Sequence, residues 1–473
     1  MAVLRALKFV CTVKYNEVTT LYSQNDVNQI GGAGVARPCA LPRASTRAPA
    51  PLPTVKLVTN GSGKVWAVDE NGKPLGIITK SHPTLDTQGF QRIQDYALQQ
   101  QAAKLLHGKS RVCFCGKRKI DKNKKRGVVY NPKTERAYFD NVMRCGSIWD
   151  CKPCAKKITE VRRKELAFAN ELWKSGVVLQ TFDYSEYPEN FIGPIRPTWE
   201  YVKGHTYLIT LTNSHNAGHS LLSQREGQKK AMERFFEGRK AEALMGRLGK
   251  RFHITNYEVT FGKNGWHPHH HILVFSDKAL SISEFSALRN ELAEHWINCC
   301  RLSKLPLPNM QHGLDLADGT YADQYIGKWG VEHEMTKGHI KKGKEGGLTP
   351  FDLLQLSFED ELVFGRKPSQ LFKEYAAAFK GARQLMWSRG LKDVFGLRDV
   401  SDDEIMDKVT DEAIKLNDVE DLVFRLLVKY KKYVEFLIAV EEEQKGVAGA
   451  VDQLVDELVR QEIELIENRL KAS

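Results

Sequence analysis

The chain has 473 residues, which is enough for two to four domains at roughly 100–200 residues each. Its 42% hydrophobic and 27% charged residues are ordinary for a globular protein, and its longest apolar runs fall far short of the roughly 20 residues that a membrane-spanning helix needs. The net charge of +12 is uneven: residues 401–473 hold 19 acidic and 10 basic side chains, a net of −9, which leaves +21 on residues 1–400. A basic body of this length favours a polyanionic partner, and a solvated basic surface is the alternative.

Residues 1–85 are predicted to be a tail with a Pro/Ala-rich linker at 36–53, and no secretion signal is evident because Arg5 and Lys8 interrupt the mildly apolar start. Short apolar stretches separated by turn signals begin near Lys56. Strand patterns and helix patterns then interleave without a regular βαβ rhythm, so we predict an α+β fold with an antiparallel sheet. The predicted helices are 157–173, 225–248, 283–299 and 320–334, and the predicted strands are 206–212, 253–261 and 269–275.

Four segments are predicted from these patterns: the tail, a basic cysteine-rich region at 86–175, a sheet-containing domain at 176–348, and a helical region at 349–473. The acidic end of the last segment has the spacing of an amphipathic helical bundle. We expect a cytoplasmic protein without a membrane partner.

Five of the nine cysteines lie between positions 113 and 154. Cys151 and Cys154 form a Cys-x-x-Cys knuckle, in which one tight turn supplies two thiolates to a tetrahedral Zn²⁺ and distant chain supplies two more. We predict a structural zinc site of Cys115, Cys145, Cys151 and Cys154, with Cys113 as a substitute for Cys115. The alternatives are buried free cysteines and a redox pair, which the absence of a thioredoxin-like βαβ pattern disfavours.

A histidine-rich strand follows a Gly-Lys-Asn-Gly turn. Because side chains alternate along a strand, His269 and His271 project to one face and His270 to the other. Two imidazoles about 7 Å apart can bind one cation, and Glu258 on the preceding strand offers a carboxylate. Two histidines and a carboxylate leave positions open for water and phosphate oxygens, which metal-assisted phosphodiester chemistry requires.

A third histidine of the same parity, His267, is an alternative ligand. Pro268 breaks regular strand geometry beside it, so we rank it below the other two. An incidental cluster of histidines that binds no ion is the remaining interpretation.

Tyr321, Tyr325 and Lys328 have helical spacing and fall near one face of the predicted helix 320–334. A phenol there can attack phosphorus and keep the 5′ phosphate as a covalent ester, and the ammonium would stabilise the phosphate charge or the phenolate. Tyrosines at this spacing are, taken alone, more often core residues. The histidines and the cysteine knuckle in the same region favour the catalytic interpretation.

Three segments, in this order, resemble the motifs of rolling-circle plasmid replication initiators (Rep proteins) of the HUH endonuclease superfamily. They are Tyr207–His215 (YLITLTNSH), Glu258-Val-Thr followed by Gly265–His271 (GWHPHHH), and Tyr325-Ile-Gly-Lys328-Trp-Gly. The segment Arg144–Cys154 also resembles the region upstream of the nuclease in that family. The resemblance covers residues 111–391 and leaves out the first 85 residues and the acidic tail.

The resemblance implies an HUH nuclease domain, a central antiparallel sheet that carries the histidines with the tyrosine helix packed beside it. His269 and His271 would bind Mg²⁺ or Mn²⁺ with Glu258 as a third ligand. Tyr325 would nick one strand at a plasmid or phage origin, hold the 5′ end covalently and leave a 3′-OH primer before the strand is rejoined.

Two positions depart from the family pattern. His270 occupies the usually hydrophobic middle of the histidine triplet, which admits a shifted metal register. Tyr321 stands where some relatives carry a glutamate that activates a terminating water. Either Tyr321 is a second nucleophile, as in certain phage initiators, or Asp323 assists the water.

Two alternatives of other classes stay open: a relaxase or transposase that shares the same site, and a non-catalytic zinc-containing DNA-binding regulator. The expected partner is single-stranded or supercoiled origin DNA. The acidic end is a candidate contact for a host helicase, for a homodimer, or for packing against the nuclease.

Overall fold

The computed structural model describes residues 56–59, 65–68, 87–108, 110–182, 197–319, 347–407 and 413–472. The chain divides into two compact units, one containing residues up to Cys154 together with Asp402–Ser473 and the other containing Ala155–Ser401. Among the described helices, none combines the length and the apolar character that crossing a membrane requires. The predicted α+β class with antiparallel sheets is confirmed.

The described residues form twelve strands and twelve α-helices, numbered in chain order. The strands are β1 (Lys56–Thr59), β2 (Val65–Val68), β3 (Arg126–Asn131), β4 (Arg136–Asp140), β5 (Val177–Phe182), β6 (Pro197–Val202), β7 (His205–Thr212), β8 (Lys250–Gly262), β9 (Gly265–Ser276), β10 (Leu314–Asp318), β11 (Leu385–Trp387) and β12 (Ile414–Val419). The helices are α1 (Thr87–Leu105), α2 (Lys152–Ser175), α3 (Leu221–Phe236), α4 (Arg239–Arg247), α5 (Ile282–Leu302), α6 (Pro350–Leu356), α7 (Pro368–Ala378), α8 (Leu391–Val394), α9 (Asp402–Asp407), α10 (Asp421–Lys429), α11 (Tyr433–Gln444) and α12 (Ala450–Ala472).

The first unit joins the cysteine-rich region to the acidic end of the chain. Its three-stranded antiparallel sheet has the order β12-β3-β4, so the acidic end contributes an edge strand. The helices α10, α11 and α12 confirm the predicted helical character of this end, but the expectation of an all-helical bundle is wrong at β12. The reason is tertiary, because β3 offers an open edge that six residues of the acidic end can pair with. The predicted segment 349–473 instead groups residues 402–473 with residues 349–401, which lie in the second unit.

Aromatic rings fill the core of this unit. Tyr433 stacks on Tyr96 with ring centroids 4.8 Å apart, and Phe139 packs against Phe424 and Phe436. These rings come from α1, β4, α10 and α11, so the cysteine-rich region and the acidic end of the chain share one core. Aromatic pairs of this geometry add about 0.5–1.5 kcal/mol beyond the area they bury.

Opposite charges also join the two ends of this unit. The buried carboxylate of Glu441 lies 2.6 Å from Arg92 and 3.1 Å from Arg136. At the surface, Asp421 forms ion pairs with Arg126 and Lys119, which lie in the predicted basic region at 86–175. The acidic end therefore compensates part of the basic charge that the sequence places around the cysteines.

The second unit is built on a five-stranded antiparallel sheet of order β10-β7-β9-β8-β11. The predicted strands are β7, β8 and β9, which form its centre, and the histidine strand β9 is the middle one. The short strands β10 and β11, at the edges, were not predicted because three to five residues carry too little periodicity.

The two faces of this sheet have different covers. Tyr207, Ile209, Ile272 and Val274 point into a core formed with α3, α4 and α5. The opposite face is covered over part of its area, where Phe275 and its neighbours pack against α2, β5, β6 and α8. The polar half of β9 belongs to this second face, because its odd-numbered residues alternate with those that face α3 and α5.

The helix predicted at 225–248 is two helices, α3 and α4. The chain breaks at Gly238, whose φ of +92° is open to glycine and strained for other residues. The later helix α5 begins as predicted, with a capping box in which Ser281 and Glu284 satisfy each other's backbone N–H.

Candidate metal centres

The register of the central sheet brings the predicted ligands together. β9 lies between β7 and β8, so each of its histidines has a neighbour on either side. His269 is directly opposite Glu258 on β8, and His271 is opposite Thr210 on β7. Directly opposite residues in an antiparallel pair have Cβ atoms about 4.5–5.5 Å apart, which lets the side chains converge.

Three potential ligands converge on one point. Nε2 of His269 and Nε2 of His271 each lie 3.2 Å from the same carboxylate oxygen, Oε2 of Glu258. The ligand atoms all lie within 4.8 Å of one another, and the three side chains are 10–25% exposed. This group could bind a metal ion and is open enough for a further ligand to reach it.

The electrostatics favour the protonation states that a metal requires. Burial raises the pKa of Glu258, but the hydrogen bonds from His269 and His271 outweigh it and bring the pKa down to about 2. Burial lowers the pKa of His271, which favours its neutral ring. A carboxylate and neutral imidazoles are the forms that coordinate a cation.

The other nitrogen of each ring has its own contact. Nδ1 of His271 lies 3.0 Å from the hydroxyl of Thr210, and Nδ1 of His269 lies 3.4 Å from the backbone oxygen of His267. In a metal-bound site, a proton on Nδ1 would be donated in both contacts and would leave the Nε2 lone pairs for the ion. Sequence reasoning missed Thr210, because only the observed pairing of β7 with β9 shows that this residue lies opposite His271.

The remaining histidines of the triplet region lie elsewhere. His270 is 4% exposed on the other face of the sheet, against the ring of Tyr257 at 4.5 Å, so the shifted register is not the arrangement found. Burial lowers its pKa to about 3. His267 shares the face of the ligand group but stacks on His215, with centroids 4.6 Å apart. His267 therefore lies beside the three converging ligands but is not one of them.

The predicted catalytic residues Tyr321, Tyr325 and Lys328 lie outside the described residues, as does Asp323. The described chain resumes after them at residue 347, where Leu348 pairs with Phe261 through two backbone hydrogen bonds of 2.7 and 2.8 Å. Phe261 is at the end of β8 that carries Glu258. Residues 347 and 348, the first described residues after this segment, therefore lie at the end of the sheet that carries Glu258.

The four predicted zinc ligands also come together, in the first unit. The sulfur of Cys115 lies 3.6 Å from that of Cys154 and 3.8 Å from that of Cys151, and Cys145 lies 3.6 Å from Cys154. Four thiolates around one tetrahedral ion at about 2.3 Å would be separated by about 3.8 Å. All four are buried and could bind a metal ion.

The local backbone explains which cysteines take part. Cys151 precedes α2 and Cys154 lies in its first turn, where the free N–H groups of a helix stabilise negative charge. The amide of Gln99 donates to the sulfur of Cys151 at 3.6 Å. Cys113 instead donates to the backbone oxygens of Ala103 and Leu106, so its predicted substitution for Cys115 is wrong. The short helical turn Arg111–Phe114 rotates the two cysteines to different sides.

Comparison with known proteins finds a distant relative. No protein-family model matches the chain, and no solved structure matches it. The chain is similar to Protein rep of Streptomyces lividans, with 26% identity over 322 residues. The match covers 54% of this chain and 64% of the relative, so the chain spans less than two thirds of that protein's length.

Proposed function

We propose that this chain is a Rep-type replication initiator that nicks and rejoins one strand of DNA at a plasmid or phage origin. The observation that carries the proposal is the convergence of Glu258, His269 and His271 on the open face of the central sheet. The similarity to Protein rep supports the same conclusion. The predicted motifs that surround these residues supply the nucleophile.

The ligand set fits a divalent cation that keeps water or phosphate in its coordination sphere. Two imidazoles and one carboxylate suit Mn²⁺ and also bind Mg²⁺, with positions left open. A bound cation would polarise the scissile phosphate and stabilise the negative charge that develops on it. Glu258 contributes the negative charge of the site, and Thr210 orients the ring of His271.

In the proposed nicking step, the phenol oxygen of Tyr325 attacks the phosphorus. A bond between that oxygen and phosphorus forms and the bond from phosphorus to the 3′ oxygen breaks. The phenol loses its proton and the 3′ oxygen gains one, directly or through water, to become the 3′-OH primer. The phosphotyrosine retains the energy of the phosphodiester, so attack by a 3′-OH reverses the step and rejoins the strand. Lys328 would stabilise the phosphate charge or the phenolate, and Tyr321 would act as a second nucleophile or leave termination to a water assisted by Asp323.

The four-cysteine group is proposed to bind a structural Zn²⁺. Its sulfur separations match a closed tetrahedral site, which leaves no position for a substrate. The ion would join the turn Arg111–Phe114 to the start of α2 and hold the basic region that we expect to contact DNA phosphates.

The test is a search for a covalent protein–DNA adduct. The purified chain and its Tyr325→Phe, Tyr321→Phe and His269→Ala variants are incubated with Mn²⁺ and a supercoiled plasmid that carries the candidate origin. The products are separated on denaturing gels, with His270→Leu as the control because that ring lies on the other face. We expect the adduct in the wild type and in His270→Leu, and its loss in Tyr325→Phe and His269→Ala.

The Tyr321→Phe lane separates the two termination schemes, since alternating nucleophiles require both phenols. An adduct that persists in Tyr325→Phe would move the nucleophile elsewhere. DNA binding with neither a nick nor an adduct in the wild type would refute the nuclease and leave the DNA-binding regulator. Cleavage confined to a transfer origin or to transposon ends would indicate a relaxase or a transposase.

A further inference from the structure

The hairpin of β5 and β6 presents aromatic side chains on its outer face. Trp199 is 67% exposed and Tyr201 is 66% exposed, and both lie on β6 two residues apart. Across the hairpin, Tyr201 pairs with Val178, which is 56% exposed, and Trp199 pairs with Gln180. Side chains two residues apart on a strand share a face about 7 Å from each other.

The inward side chains of this hairpin pack into the core and stabilise its fold, whereas the outward rings make no such contribution. Val177, Leu179 and Val202 are buried in the core beside Phe275 and Trp173. The outward positions of a one-sided hairpin are normally polar. A row of two large exposed rings is therefore a feature that stability does not require, and such patches mark binding surfaces.

The ring of Tyr201 is held in place before any ligand arrives. Its hydroxyl donates to the backbone oxygen of Ser175 at 3.2 Å. A Cβ at Gly176 would collide with the Tyr201 side chain, so the glycine, with a φ of +117°, leaves the space that the ring uses. A fixed ring loses little conformational entropy when a ligand stacks on it.

The charges around the two rings suit an anionic ligand. Lys203, two residues beyond Tyr201, is exposed. The intervening acidic residue, Glu200, has the opposite parity and forms an ion pair of 2.6 Å with Arg251. Among the described residues of the hairpin's outer face, none is acidic.

We propose that this outer face binds single-stranded DNA, with bases stacked on Trp199 and Tyr201 and a phosphate beside Lys203. Every base has a π-face, so stacking on aromatic rings binds single strands with little sequence preference, and a nearby cation follows the backbone. Paired bases in a duplex are not available to stack in this way. The inference rests on the proposed function, because nicking at an origin produces a single strand that the enzyme must hold.

The experiment measures affinity for single-stranded DNA separately from nicking. A fluorescein-labelled oligo-dT is titrated with the full chain, and binding is followed by anisotropy. Trp199→Ala and Tyr201→Ala are each expected to weaken binding by roughly 5–150-fold, the range found for one base–aromatic stack. Tyr201→Phe keeps the ring and should bind close to wild type. Phe168→Ala removes an exposed ring that lies on α2 and outside the hairpin, and should also bind normally.

Several outcomes would overturn the proposal. Unchanged oligo-dT affinity in both alanine variants would show that the rings do not contact DNA. A change of sedimentation from dimer to monomer in Trp199→Ala, with normal DNA affinity, would assign the face to a second copy of the chain. Equal losses for single strands and for a duplex would show that the rings do not stack on unpaired bases.

The failure of the proposed function would look different. Wild-type protein that binds oligo-dT through Trp199 but forms no adduct would retain this inference and refute the nuclease. Trp199→Ala that still forms the adduct at saturating DNA, with a raised requirement for DNA concentration, supports both.

Discussion

Replacing Thr210 by valine tests whether β7 positions a metal ligand. The hydroxyl of Thr210 lies 3.0 Å from Nδ1 of His271, and valine keeps the branched shape without the hydroxyl. Removing a contact of this kind lowers metal affinity by about 10–100-fold. The contact joins two neutral groups, whose hydrogen bond contributes about 0.5–1.5 kcal/mol. We therefore expect the lower end of the range, about tenfold, which corresponds to about 1.4 kcal/mol.

The assay is calorimetric titration of the full chain with Mn²⁺, and Thr210→Ser is the matched control because it restores the hydroxyl. Valine is a good strand former, so the melting temperature without metal should change little. Thr210→Val should then bind Mn²⁺ about tenfold more weakly, while Thr210→Ser should bind close to wild type. An unchanged dissociation constant in Thr210→Val, or an equal loss in Thr210→Ser, would refute the positioning role.

Three further predictions concern the first unit. Cys151→Ala should abolish bound zinc measured by atomic absorption, whereas Cys113→Ala should retain it, and metal retained in Cys151→Ala would contradict the ligand set. Glu441→Ala should lower the free energy of unfolding in urea by about 3 kcal/mol, because the buried carboxylate lies between two arginines; a loss under about 1 kcal/mol would indicate that the arginines relax into solvent. Replacing Glu420 and Asp421 together by their amides should raise affinity for duplex DNA and steepen the salt dependence by about 0.9 per added phosphate contact, since three basic side chains lose their partners. Identical salt slopes would show that Lys119, Lys125 and Arg126 do not contact DNA.

Much of the candidate metal site can be predicted from the sequence because it depends on short-range rules. The alternation of a strand places His269 and His271 on one face, and the short turn after β8 brings Glu258 opposite His269. A slip by one residue would reverse every side chain of β9, and the two-residue turn between Gly262 and Gly265 holds the register.

The cysteine site shows where such rules stop. The knuckle at Cys151 and Cys154 is local and was predicted, but Cys113 and Cys115 are two residues apart and equivalent by spacing. Their distinction depends on the helical turn Arg111–Phe114 and on the backbone oxygens of Ala103 and Leu106, to which Cys113 donates. No sequence pattern predicts that Cys113 will donate to Ala103 and Leu106.

What the sequence by itself determined is the three central strands β7, β8 and β9, the parity of the histidines and the candidate thiol ligands at the knuckle. Tertiary structure alone decided that Thr210 meets His271, that the acidic end adds a strand to the cysteine-rich region, and that Trp199 and Tyr201 are exposed rather than buried. The physical reason is the range of the forces involved. Backbone periodicity acts over a few residues, whereas the neighbour across a sheet and the cover over a face are set by the packing of segments that are distant in the chain.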